Sequence, residues 1–279
     1  MATTVRRKDR APGSKPVGEI KQARSTALYG RAGTGKTTLS ATWPKPILYL
    51  NIRDDGTDSI ADIEGIDVVD IETSDDMRDI LLWCVKKVNR GKLKYKTIVL
   101  DTATQFQGIL VREKVEESGK KLKKGQNPGD FGTLTQQEWG QIAGEMKKLI
   151  MDVRGIPGLE SVFICQERIF NAGDEEDDGL GQIDPEVGPR LSPSVKDDLN
   201  ASVSIIGNTF IRIKVTTTKD KKTLKKSKKI DKQYCLRVGP NSVYTTKIRK
   251  PKGIEAPDFI VDPTFRKIKK IVKGIKDDG

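Results

Sequence analysis

Continuous apolar runs of strand length recur along the chain: PILYLNI over Pro46 to Ile52, YKTIVL over Tyr95 to Leu100, and SVFIC over Ser161 to Cys165. A run without polar alternation suits a strand buried on both faces, as in a parallel sheet. Helical stretches such as Asp75 to Val88 and Glu138 to Val153 separate these runs. An earlier short run, Ser25 to Tyr29, leads into a Gly-rich loop and a helix predicted to begin near Lys36. Alternation of strands and helices predicts an α/β fold with a mainly parallel central sheet flanked by helices.

Beyond about residue 203 the pattern changes to β-rich segments, SIIGNTFIRIKVTTT, YCLRVG and SVYTTKI, which predict antiparallel strands extending the sheet, with a basic β-hairpin over about 211–240. Residues 1–20 are polar, basic and broken by Pro12, Gly13, Pro16 and Gly18, and are expected to be disordered. One domain is expected over residues 21–250, followed by a basic, disordered C-terminal extension over 251–279. There is no internal repeat.

Composition limits the chemistry. A hydrophobic share of 35% supports a core, while a net charge of +12 sets up a field that attracts polyanions. With no histidine, any chemistry must rest on carboxylates, Lys, Arg and a hard metal. Cys84, Cys165 and Cys235 are isolated, so neither a disulfide framework nor a zinc knuckle is indicated. No apolar run approaches the ~20 residues that span a bilayer, and the basic N-terminus lacks a following apolar stretch for secretion. A soluble, cytoplasmic protein is expected.

The strongest chemical signal is Gly30, Arg31, Ala32, Gly33, Thr34, Gly35, Lys36 and Thr37, a full match to G-x-x-x-x-G-K-[ST] between a predicted strand and a predicted helix. Glycines let the backbone curl around a phosphate with N–H groups inward. Together with Thr38 this segment is the expected ATP site, Lys36 reaching the β- and γ-phosphates and Thr37 ligating Mg²⁺. A second carboxylate at the end of an apolar strand is needed for the metal, and Asp101 fits, although such an Asp can also cap the next helix. Asp54, after the strand Pro46 to Ile52, is the candidate for orienting the attacking water, on the expectation that this strand runs beside the P-loop strand.

From Ala23 to Phe265 the order of motifs resembles the RecA-like recombinase core, most closely the minimal phage-type members that act as ATP-binding single-strand annealing proteins. The P-loop, the strand TIVLDT, Phe163 to Arg168, and Lys247-Ile248-Arg249 followed by Ala256-Pro257 carry the resemblance. It implies that Gln166 senses the γ-phosphate and passes its state to a mobile DNA-binding loop over Ile169 to Leu191. It also implies that Lys247 and Arg249 touch the γ-phosphate of a neighbouring subunit in a homo-oligomer, a ring or a filament. A phage or prophage origin follows from the same resemblance.

The sequence departs from that pattern twice. Where the family has a catalytic Glu, the chain reads Asn51-Ile52-Arg53-Asp54, which bears on the rate of hydrolysis. The presumed second DNA loop holds the acidic run Asp174 to Asp178, which repels phosphate. DNA contact is therefore expected elsewhere. Lys221, Lys222, Lys225, Lys226, Lys228 and Lys229 in the basic hairpin are the first candidates, and Lys121, Lys123 and Lys124, near the family's first DNA loop, the second. Such contacts bind single-stranded DNA through its phosphates, without sequence specificity and with sensitivity to salt. The expected activity is a DNA-binding, DNA-dependent ATPase that promotes annealing or strand exchange, with a single-strand DNA-binding protein as a further partner. The alternatives are a helicase loader or motor, or a nucleotide-gated assembly protein with a protein partner and no DNA.

Overall fold

A computed structural model describes residues 23–52, 55–117, 134–170, 186–219 and 226–275, with backbone only at 55, 216–219 and 226–229. Strands β1 (Ser25–Tyr29), β2 (Ile47–Asn51), β3 (Ile66–Asp70), β4 (Thr97–Asp101) and β5 (Glu160–Cys165) are joined by helices α1 (Lys36–Ser40), α2 (Ser74–Asn89), α3 (Ala103–Glu117) and α4 (Gln136–Gly155). A ribbon of β6 (Glu167–Phe170) and β7 (Glu186–Pro189) and helix α5 (Pro193–Ser202) follow. The chain closes with β8 (Ile205–Lys219), β9 (Lys226–Arg237), β10 (Lys247–Ile248), β11 (Phe259–Val261) and α6 (Phe265–Lys273).

The main sheet runs β11-β9-β8-β1-β5-β4-β2-β3, with β10 on β8. From β3 to β8 neighbouring strands are parallel, and β9, β10 and β11 add antiparallel. Both faces are covered, so successive side chains enter two different cores. Ala27, Leu50, Leu100 and Phe163 pack with α2 to α5. Leu28, Tyr49, Val99 and Ile164 pack with Trp43 and with Ile268 and Val272 of α6. This is why the runs are apolar at every position. Capping boxes, Thr73 with Asp76 and Thr135 with Glu138, set the starts of α2 and α4.

Three expectations need correction. The strand after the P-loop helix does not run beside β1, because β5 and β4 lie between them; an apolar run encodes burial but not which neighbour it takes. The segment SVYTTKI gives only the two-residue β10 and an isolated bridge at Tyr244. The C-terminal extension is ordered from Phe259 to Lys273: β11 pairs with β9, and α6 turns its buried Ile268 and Val272 onto the core. That helix is amphipathic despite its lysines, with apolar residues spaced at three and four along one face. The N-terminal tail, residues 1–20, lies outside the described residues. Among the described residues no helix is long and apolar enough to cross a membrane.

Candidate functional site

Strands β2, β4, β5, β1 and β8 bring their carboxyl ends to one edge of the sheet, the edge at which ligands collect in open α/β folds. The P-loop leaves β1 there. Its anchor is Tyr29, whose buried hydroxyl donates to the carbonyls of Val187 at 3.0 Å and Thr245 at 2.9 Å. A Cβ on Gly30 would lie 2.4 Å from the carbonyl oxygen of Thr209, so no side chain fits. Gly35 precedes α1 with φ at 82°, in the left-handed region, and the Tyr234 ring stands 3.2 Å from where its Cβ would be. Thr34 and Thr209 share a hydroxyl hydrogen bond of 2.7 Å. Lys36 Nζ donates to the carbonyls of Gly30 at 2.8 Å and Arg31 at 2.7 Å, which holds the ammonium over the loop.

Beside the loop lies a pair of hard oxygen donors. The Thr37 hydroxyl donates to Asp101 Oδ2 at 2.8 Å, and the Tyr49 hydroxyl donates to the same oxygen. Asp101 is only 3% exposed, so its charge depends on these donors and on the nearby lysine. Burial, then Asp101 itself, raises the Tyr49 pKa far above the ordinary range, which keeps this phenol a donor. Burial pushes the neighbouring Cys165 thiol up to about 12, with Asp101 adding to the effect and Lys36 opposing it. The first turn of α3 is capped by Thr102, which accepts from the Gln105 N–H at 3.1 Å, while Asp101 turns its Oδ2 to Thr37 and Tyr49. A hydroxyl and a carboxylate oxygen form a donor set that suits Mg²⁺.

The cavity over the loop measures about 1160 Å³ and is lined by Gly30 to Leu39, Asp101, Gln166 and Glu167, among others. That volume exceeds what a nucleoside triphosphate needs. Gln166 lies where β5 ends and the β6–β7 ribbon begins. Its N–H donates to Thr104 Oγ1 at 3.1 Å, its Oε1 accepts from Arg190 Nη1 at 3.1 Å, and its carbonyl accepts from the Arg190 N–H at 2.8 Å. The cavity wall and the base of the ribbon are thus one hydrogen-bonded unit.

Sequence reasoning missed Glu167. Its carboxylate accepts from Asn208 Nδ2 at 3.0 Å and pairs with Arg31 Nε at 3.4 Å, and its side chain is 12% exposed. Asn208 in turn accepts from Arg237 at 2.8 Å. The one available signal was adjacency to Gln166, since Asn208 and Arg237 come from strands far along the chain.

Lys247 and Arg249 are not at the cavity. Lys247 Nζ donates to the carbonyls of Asn200 at 2.7 Å and Ala201 at 3.2 Å, and Arg249 Nη2 donates to Ala201 at 3.3 Å. The two cations share a face, as their alternation requires, but that face meets the end of α5. β10 pairs with Ile205 and Ile206, opposite Thr26 and Ala27 of β1, which places Lys247 three residues or ~10 Å short of the P-loop and Arg249 farther still. Neither cation therefore reaches the phosphate loop of its own chain. Asp54, Lys121, Lys123, Lys124, Lys221, Lys222, Lys225 and the acidic run 174–178 lie outside the described residues. Just after Asp54, a 3₁₀ turn over Asp55–Ile60 brings Gly56, Asp58 and Ser59 to the cavity. Lys226, Lys228 and Lys229 lie on β9, paired with Lys219, Thr217 and Thr216.

Residues 22–249 match the protein family described as an AAA domain. No curated protein matches the chain.

Proposed function

The chain belongs to this AAA domain family, and on that premise we propose an ATPase in which Mg-ATP controls assembly on single-stranded DNA during annealing or strand exchange in recombination. One observation carries it: the P-loop cavity, Gln166 and the β8–β9 ribbon lie at a single edge of the sheet. β8 runs parallel to β1 and continues ten residues past Thr209, so the ribbon projects from the edge where the phosphates are bound. Exposed Arg212 and Lys214 lie on one face of it, and Ile213, Val215 and Ile230 on the other. Backbone phosphates suit the first face, and bases or a protein partner the second.

In this reading Lys36 leaves the loop carbonyls for the β- and γ-phosphates, and Thr37 and Asp101 hold Mg²⁺. The metal supplies neutralisation of charge on the transferring phosphoryl group. With Gln166 Oε1 held by Arg190, its Nε2 is the atom that donates toward a terminal phosphate, and loss of that phosphate relaxes the pull on the base of the β6–β7 ribbon. Lys247 and Arg249 would serve a phosphate only across a contact between copies made by the opposite edge of the sheet.

The test is binding of a fluorescent single-stranded oligonucleotide at two salt concentrations, with and without Mg-ATP, for the wild type and Lys36→Ala. Salt-sensitive binding that responds to ATP in the wild type alone is expected. No binding at low salt would remove DNA from the function and leave an ATPase with a protein partner.

A further inference from the structure

We infer that Tyr234 and the turn Asp262-Pro263-Thr264 form the subsite for the base of the nucleotide, an inference that rests on the nucleotide reading above. The P-loop, Lys36, Thr37 and Asp101 provide for phosphates and metal alone. The cavity does not stop with them. Past Thr38 it extends to Thr42, and there its lining is Tyr234, Asp262, Pro263 and Thr264. The turn lies between β11 and α6, beyond residue 249, where the family match ends.

The subsite is tied together by backbone. The Asp262 N–H donates to the Tyr234 carbonyl at 2.7 Å, which fixes the turn against β9. The Phe265 N–H donates to Thr42 Oγ1 at 2.8 Å, which fixes it against the segment that follows α1. Lys267 Nζ donates to the carbonyls of Val261 at 2.8 Å and Asp262 at 3.0 Å, closing the turn from within. Packing of Phe265 on Trp43, with ring centroids 5.2 Å apart, seats the same corner in the core.

Two features point to a ligand. Tyr234 keeps 46% of its surface exposed although its ring reaches the P-loop at Gly35, so an aromatic surface borders the cavity where a base can cover it. Asp262 adopts φ of 45°, the one positive value for a non-glycine residue among those described. Such strain gathers at ligand clamps, where the surroundings over-determine it. A ring bordering the P-loop and a turn held in a strained shape, joined by a hydrogen bond, offer a stacking surface with polar groups of Asp262 and Thr264 beside it. Aromatic stacking of this kind accepts any purine, and selection between bases would come from the polar groups.

The experiment compares ATP with inorganic tripolyphosphate, both with Mg²⁺, by calorimetric titration of the full chain. The wild type is expected to bind ATP at least about tenfold more tightly than tripolyphosphate. Tyr234→Ala should lose about tenfold for ATP and nothing for tripolyphosphate, while Tyr234→Phe keeps the wild-type values. Unchanged tripolyphosphate binding also certifies that the alanine variant is folded. Equal loss for both ligands, or no loss for ATP, overturns the base subsite and leaves the P-loop reading standing. Failure of the wild type to bind either ligand overturns the nucleotide reading itself, and this inference with it.

Discussion

The hydroxyl of Thr37, second residue of α1, hydrogen-bonds at 2.8 Å to Asp101, last residue of β4. Sixty-four positions separate them, and neither is useful to a metal alone. Their contact sets the spacing between the phosphate loop and the carboxylate, and Tyr49 on β2 holds the same oxygen from a third element.

Asp101→Asn keeps an acceptor for Thr37 and Tyr49 but removes the charge. Magnesium should then cease to strengthen ATP binding, with affinity in Mg²⁺ falling about 10–100-fold and the melting temperature little changed. ATP titrations with and without Mg²⁺ check this; a variant that retains the full Mg²⁺ effect would place the metal carboxylate elsewhere. Tyr49→Phe should instead cost about 1 kcal/mol of stability through its lost hydrogen bond.

Arg190→Ala should leave ATP affinity within about threefold, since it removes one exposed contact, while Gln166→Ala, which loses a hydrogen bond to a charged phosphate, should weaken it about tenfold. What they should abolish is the change in oligonucleotide affinity that ATP produces. Fluorescence anisotropy with and without ATP measures this directly, and an intact ATP response in both variants would refute Gln166 as the link.

Lys196 is 3% exposed, pairs with Glu186 at 3.0 Å and lies 4.2 Å from the centroid of Phe170. Lys196→Ala leaves a carboxylate without its cation in the base of the β6–β7 ribbon and should cost about 3 kcal/mol in chemical denaturation at pH 7. Burial alone would raise the Glu186 pKa, but hydrogen bonds from Thr245 and Lys196 outweigh it and hold the group below its ordinary value of 4.5. Its contribution is therefore present above pH 4.5 and is lost as pH falls through the folded-state value. The acid limb of stability should be less steep in Lys196→Ala than in the wild type.

Alkaline pH should act through the buried thiols. Burial raises Cys84 from 9.0 to about 11 and Cys165 from 9.0 to about 12, so the folded chain keeps protons that the unfolded chain gives up. Stability from this source is complete below about pH 9 and declines above it. Between pH 9 and 10, before unfolded tyrosines titrate, the double variant Cys84→Ala, Cys165→Ala should lose melting temperature less steeply than the wild type. Equal slopes would show that the thiols are not the source.

Much of the fold was legible in the residues themselves. The runs PILYLNI, TIVL and SVFIC became β2, β4 and β5, because a strand covered on both faces must be apolar at every position. The glycines around Arg31-Ala32 and Thr34 announced a tight loop, and Asp101 followed the strand that places it. By contrast, α6 was obscured by its lysines, whose long stems tolerate solvent while Ile268 and Val272 go inward.

The sequence by itself determined the α/β class, the phosphate loop and the strand-end carboxylate, because each is encoded in contiguous residues whose period or conformational freedom is a local property. Only the tertiary structure decided that β5 and β4 separate β1 from β2, that Glu167 meets Asn208, that Lys247 and Arg249 turn to the end of α5, and that Tyr234 comes to Gly35. Those pairings depend on which strands lie side by side, and strand order follows from burying both faces of the whole sheet at once, a sum over distant segments that no single one of them records.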